Sequence, residues 1–260
     1  MYQSFYTAAL GAGTCMAKMS VISNNIANVN NNGFKPKNTA FTDLLQLNLN
    51  DSENAVTDLQ TGNGVRMQRT YSTFSTEAIT QTNSSLDYAI MGDNQFFMVQ
   101  DPETNAITYT RSGNFHRGEM EDGVFYLMTD GGKLVLDQNG ERIEAEVPDV
   151  ERIQRLAAGE EVGEEETEEI PDEDAPRVSV YTFSNPSRLL SVGDNEWVAP
   201  EDMEPELVED SNLVTCALER SGTDLAKEMT RMIECQHAYS YALKMVITAD
   251  EVESTINSLR

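Results

Sequence analysis

The segment MYQSFYTAALGAGTCMAKMSVISNNIANVNNNG, residues 1–33, decides the architecture. Its apolar and small residues Phe5, Ala8, Ala12, Cys15, Met19, Ile22, Ile26 and Val29 recur in alternating steps of three and four. That heptad spacing predicts a helix with a narrow coiled-coil seam rather than a broad amphipathic face. The run 28–33, NVNNNG, predicts the helix end, with Asn and Gly supplying left-handed backbone, and Pro36 blocks simple continuation. A helix with one apolar stripe is marginal alone and needs a partner.

The far end of the chain supplies a matching stripe. Leu225, Met229, Met232, Cys235, Tyr239, Ala242, Val246, Ala249, Val252, Ile256 and Leu259 follow one another at a mean step of about 3.4 residues, again near the supercoil period. Ser221 or Thr223 is the expected N-cap, with Asp224 and Glu228 favouring the first turn. Between the helices the pattern is β. Residues 88–100, 107–111, 124–128, 133–137 and 177–183 are short, β-branched and aromatic runs, punctuated by Gly113-Asn114, Asp122-Gly123, Asp130-Gly131-Gly132 and Asn139-Gly140 as turns. The expected class is α+β: terminal helices pairing as a coiled coil, and a central β domain carrying an acidic loop. The segments are 1–45 (axial helix and signature), 46–80 (extended linker), 81–205 (β domain, with the acidic loop at 147–176) and 206–260 (C-terminal helix region).

Charge separates the ends from the centre. The 260 residues hold 44 Asp plus Glu against 18 Lys plus Arg, a net of −26. Residues 1–50 contain three bases (Lys18, Lys35, Lys37) and one acid (Asp43), and residues 222–260 contain four bases and six acids, so the middle carries the excess. Such a balance excludes a phosphate-neutralising nucleic-acid binder. The tract 160–174 has ten acids and no base, too little apolar surface to offset chain entropy, and predicts a solvated loop. No apolar run reaches the ~18 residues of a membrane span, and no signal peptide is recognisable at the start.

Motifs for chemistry are missing from the sequence. No GxxxxGK occurs, and Gly11-Ala12-Gly13 reads as close helix packing at small residues. The segment 137–140 (DQNG) lacks the later ligand spacing of a calcium loop and reads as a turn. His116 and His237 have no local serine or cysteine constellation. Cys15, Cys216 and Cys235 form no CxxC pair, and on the stripes a free thiol acts as a small hydrophobe. No catalytic residue, metal site or cofactor is expected. An enzyme would require two carboxylates converging in a cleft, and a soluble binding module would capture a basic partner through 160–174.

The segment 21–35, VISNNIANVNNNGFK, with 40–45, AFTDLL, resembles the signature of the bacterial flagellar rod and hook family of axial proteins. Its family-like positions are Asn24, Asn25, Ala27, Asn28, Gly33, Phe34 and Lys35. The C-terminal segment, with Gln236, Ala238, Tyr239 and Asp250, is similar to that family's closing motif, and LDYAIMG, FFMV and YTRSGNF are similar to the start of its β domain. Departures are His237 in place of Arg, Gly222-Thr223 in place of Asn-Val, Ala242 in place of Asn, Glu253 in place of an apolar residue, and the acidic stretch in place of more β structure. The resemblance implies a non-enzymatic structural subunit of the basal-body rod, self-assembling through its terminal helices into a helical homo-oligomer that links motor to hook. It implies other rod and hook proteins and the flagellar export apparatus as partners. It also implies export without a cleaved signal peptide and location in the flagellar basal body, without membrane insertion. Overall length and Gly62-Asn63-Gly64-Val65 lean toward the distal rod, with a proximal-rod or hook-like paralogue as the alternative.

Overall fold

The computed structural model describes residues 2–44, 46–48, 60–120, 123–145, 178–208 and 212–259. The acidic stretch at 147–176, including 160–174, lies outside the described residues. The fold is α+β, with a helix at each end and a β-rich region between. The chain divides into two units, one of Met1–Asn30, Lys35–Thr73 and Gly222–Arg260, the other of Asn31–Phe34 and Phe74–Ser221.

The helical unit contains α1 (Tyr2–Ala27) and α2 (Leu225–Ser258) together with the antiparallel pair β1 (Lys37–Asp43) and β4 (Val65–Ser72), and a short pair β2 (Gln46–Asn48) and β3 (Gln60–Gly62). Residues 46–80, read from sequence as an extended linker, therefore contribute strands. β4 pairs with β1 from Lys37↔Ser72 to Asp43↔Val65 with a bulge at Ala40/Phe41. Alternating side chains in β1 and β4 are too polar to stand out as an apolar run, and this hid the pairing. α1 ends at Ala27. Of residues 28–33 only Gly33 is left-handed (φ +67°), so the asparagines end the helix without adopting the conformation expected of them. The N-cap of α2 is Asp224, whose Oδ1 accepts from the Lys227 amide at 3.1 Å, in place of Ser221 or Thr223.

The β unit comprises β5 (Ile79–Gln81), β6 (Tyr88–Ile90), β7 (Gln95–Gln100), β8 (Ile107–Thr110), β9 (Phe115–Glu119), β10 (Phe125–Thr129), β11 (Leu134–Val135), β12 (Val180–Thr182), β13 (Leu190–Gly193), β14 (Glu196–Val198), β15 (Glu206–Leu207), β16 (Leu213–Thr215) and β17 (Ala217–Glu219). Its main sheet runs β13-β14-β8-β7-β11-β10-β9, with β12 joining β7 and β15. β6 pairs with β16 and β5 with β17. Residues 206–219, grouped from sequence with the C-terminal helix, thus belong to the β unit by their strand pairing.

β7 explains the core. Successive strand residues point to opposite faces, and both faces of QFFMVQ are covered. Phe97 and Val99 pack with Tyr88, Phe115, Leu127 and Val178. Phe96 and Met98 pack on the other side with Phe74, Tyr109, Phe183 and Trp197. Phe74 meets Phe96 and Trp197 edge-to-face at 4.9 and 5.2 Å, and Tyr109 meets Phe183 at 4.8 Å.

The run 88–100 is two strands rather than one, because Asn94 (φ +58°) turns the chain between them. Gly113-Asn114 is not a hairpin turn. The Gly113 carbonyl accepts from the Tyr88 amide at 3.0 Å, and a Cβ at Gly113 would lie 1.7 Å from the Tyr88 carbonyl oxygen, so that glycine serves close backbone approach. Asp122 of the turn expected at Asp122-Gly123 lies outside the described residues; the turns expected after β10 and at 137–140 are present, closed by Thr129 amide to Lys133 carbonyl and Asp137 amide to Glu141 carbonyl.

A buried ion pair holds the edge of this unit together. Arg111 and Glu219 are 0% and 1% exposed at the side chain, with Nε to Oε2 at 2.9 Å. The guanidinium also donates to the carbonyl oxygens of Gln95 (3.2 Å) and Gly92 (3.0 Å) and to Thr76 Oγ1 (3.2 Å), and Glu219 Oε1 accepts from the Glu77 amide at 2.7 Å. A buried charge pair is tolerable only when its remaining donors and acceptors are filled in this way.

Candidate assembly surface

α1 and α2 pack antiparallel. Cys235 Sγ donates to the Cys15 carbonyl oxygen at 3.2 Å, while Asn25 Nδ2 reaches Glu228 Oε2 at 3.5 Å, so residues late in α1 meet residues early in α2. On α1, Ala12 and Ile22 are buried, and Cys15, Met19 and Ile26 are half-buried, as is Val29 just beyond it; Phe5 is exposed. On α2, Cys235 is buried and Met232, Tyr239, Ala242, Val246 and Ala249 are half-buried, while Leu225, Met229, Val252, Ile256 and Leu259 are exposed. The stripe of α2 that turns inward thus begins at Glu228, four residues before Met232, and not at Leu225 or Met229.

That phase brings polar groups into the helix contact. Asn25 and Glu228 are 1% and 4% exposed. Asn25 Oδ1 accepts from the Lys37 amide and Nδ2 donates to the Lys37 carbonyl, both at 2.9 Å, so its side-chain amide pairs with the start of β1 as a neighbouring strand would. Glu228 Oε1 accepts from Arg231 Nη1 at 2.7 Å, one turn along α2. A satisfied polar pair at a helix seam favours one register over its slipped alternatives. Spacing alone could have found Glu228, since 228, 232, 235, 239, 242, 246 and 249 keep steps of three and four. An acid at the first turn of a helix was instead read as a partner of the helix dipole.

The other signature residues divide. Asn24, Ala27, Gln236, Ala238 and Asp250 are exposed and Asn28 is half-buried. Phe34 and Lys35 are 5% and 1% exposed. Gly33 belongs to the β unit. Its amide donates to the Glu219 carbonyl at 2.8 Å, and a Cβ there would sit 2.5 Å from the Arg111 carbonyl oxygen.

The outward faces of both helices are apolar in places. Tyr6, Leu10 and Met16 of α1, and Ile233, Tyr241, Met245, Ile247, Val252 and Ile256 of α2, are all between 42% and 64% exposed. Gly11 and Gly13 have open space above their Cα atoms, so the expected close packing at these small residues is not made within the chain. A shallow groove lies there, lined by Tyr6, Leu10, Gly13, Thr14, Ala17 and Met67. These large apolar side chains are left in water on a chain of net charge −26. No described helix is long and apolar enough to cross a membrane. His116 and His237 are both exposed.

Comparison with known proteins finds family matches at both ends of the chain. A family model described as flagella basal body rod protein matches residues 5–35, and one described as flagellar basal body rod FlgEFG protein C-terminal matches residues 215–259. The chain is 30% identical over 282 residues to flagellar basal-body rod protein FlgG of Buchnera aphidicola subsp. Baizongia pistaciae, covering 100% of both chains. It is 29% identical over 278 residues to the protein of that description from Bacillus subtilis, again covering 100% of both. It is 24% identical over 279 residues to flagellar hook-basal body complex protein FlhP of Bacillus subtilis.

Proposed function

The chain belongs to the flagellar basal-body rod protein family and is a structural subunit of that rod, and from this premise we propose how its helices build one. α1 and α2 pair as a two-helix coiled coil, and their outward apolar faces dock against the same helices of neighbouring copies. Copies then stack as a helical homo-oligomer. At its ends this stack meets other rod and hook proteins. The subunit sits in the distal rod, supported by the full-length similarity to proteins described as FlgG and by the 62–65 segment. It reaches the flagellar basal body through the flagellar export apparatus, and it performs no catalysis.

The observation that carries the reading is the exposure of Met245 and Ile247 at 57% each and Tyr241 at 64% on a helix whose opposite stripe is already covered by α1. Removing such surface from water contributes roughly 25 cal/mol per Å² of apolar area, and only another chain can remove it. The test is Met245→Glu with Ile247→Glu in one chain, assayed by sedimentation of the purified protein and by filament counts in cells. Assembly is expected to fail while the fluorescence of Trp197, the single tryptophan, stays native. Normal rods from this variant would refute the docking role of the outer face.

A further inference from the structure

We propose that Cys15 and Cys235 are a redox modification site, forming an intramolecular disulfide that clasps α1 to α2. Read from sequence as inert seam residues, the two thiols stand 220 positions apart in the chain and in contact across the helix pair. Cys235 Sγ approaches the Cys15 carbonyl oxygen to 3.2 Å, reaching the opposing main chain itself. The neighbouring seam residue Ala12 is also small and buried. Both residues lie on the stripes that α1 and α2 turn toward each other.

The two cysteines differ in a way that assigns their roles. Cys15 is half-buried and within reach of a reagent, whereas Cys235 is 4% exposed. Burial pushes the Cys235 thiol up, with the neighbouring Cys15 acting in the same direction, so Cys235 is the poorer first nucleophile. The Cys15 thiolate attacks an oxidant of the small-molecule disulfide class, and one half of the oxidant leaves as thiolate. Cys235, once deprotonated, attacks the Cys15 sulfur of the mixed disulfide and expels the second half. Two thiol protons are transferred to the two leaving thiolates and two electrons reduce the oxidant, so the product is the Cys15–Cys235 bond plus two equivalents of reduced thiol.

The bond would fix the register that Asn25 and Glu228 favour and would tie the two ends of the chain together. This proposal rests on the α1–α2 contact and not on polymerisation, so its failure leaves the rod reading intact. The experiment treats the full chain, dilute and monomeric, with oxidised glutathione, then blocks free thiols and digests under non-reducing conditions. The expected result is a linked peptide pair containing Cys15 and Cys235, in a chain that takes up one blocking group, at Cys216, where the reduced chain takes up three. Cys15→Ser and Cys235→Ser each abolish the bond, Cys216→Ser leaves it unchanged, and Cys235→Ser accumulates a glutathione adduct on Cys15. Strong denaturant slows closure at least ~10-fold, because the helices no longer hold the thiols together. A wild-type chain that stops at the Cys15 adduct, or that links Cys216 as readily as Cys235, overturns the proposal.

Discussion

Replacing Arg111 by Met tests the account of the β unit most severely. The substitution keeps the aliphatic stem and removes the guanidinium, leaving Glu219 1% exposed at the side chain with its partner of 2.9 Å gone. The Glu77 amide still donates to Glu219 Oε1, while the carbonyl oxygens of Gly92 and Gln95 lose the guanidinium as a donor. Breaking one side of a buried pair costs about 3–5 kcal/mol, a large share of a domain stability of about 5–15 kcal/mol. With a urea slope of about 1–3 kcal/mol per M, the midpoint should fall by roughly 2 M. Trp197, 4% exposed in the aromatic cluster of this unit, reports the transition without interference from the helices. The double variant Arg111→Met, Glu219→Leu should recover much of the loss, since no uncompensated charge is left, although the Glu77 amide then costs about 1–3 kcal/mol unpaired. A midpoint for Arg111→Met within 0.3 M (~0.5 kcal/mol) of wild type would refute the claim that this pair holds the unit's edge.

Two further outcomes are expected. Ile22→Asp removes a side chain 3% exposed on the α1 seam and puts a carboxylate in its place, costing about 1.5–3 kcal/mol of burial plus several for desolvation; circular dichroism should show lost helix with the Trp197 signal unchanged, and retained helicity would show that the seam does not hold α1. Tyr109 is pushed up to about 12 by burial, with Tyr181 adding to it, so between pH 10 and 12 the unfolded chain gives up a proton that the folded chain keeps and stability falls by up to ~1.4 kcal/mol per pH unit; full ionisation of every tyrosine below pH 11 in the folded protein, read by ultraviolet titration, would contradict this.

What was legible in the sequence follows from range. The terminal helices announce themselves through a local period, because Ala12 and Ile22 recur on one side of α1, and Met232 and Cys235 on one side of α2. β7 announces itself as an apolar run because both of its faces are covered. The groups that were missed are polar ones buried by distant partners. Arg111 meets Glu219 across 108 positions and Asn25 meets Glu228 across 203, and no local pattern distinguishes a buried arginine or asparagine from a solvated one. Gly113 was misassigned for the same reason: its neighbour is the carbonyl of Tyr88, 25 positions upstream, and a glycine kept for proximity looks in sequence like a glycine kept for a turn.

The mismatch in helix length has a consequence of its own. With Cys15 beside Cys235 and the helices antiparallel, α2 runs about ten residues, or ~15 Å, past the first turn of α1. Val252, Ile256 and Leu259 lie on that projection, exposed by 42%, 48% and 83%. Such a tenon has no mortise among the described residues of its own chain. Its free energy is therefore set by the concentration of other chains, in the way ligand binding is, and not by folding. Growth governed by that term begins above a threshold concentration and stops below it, so supply of subunits, more than any property of the single molecule, decides when the stack lengthens.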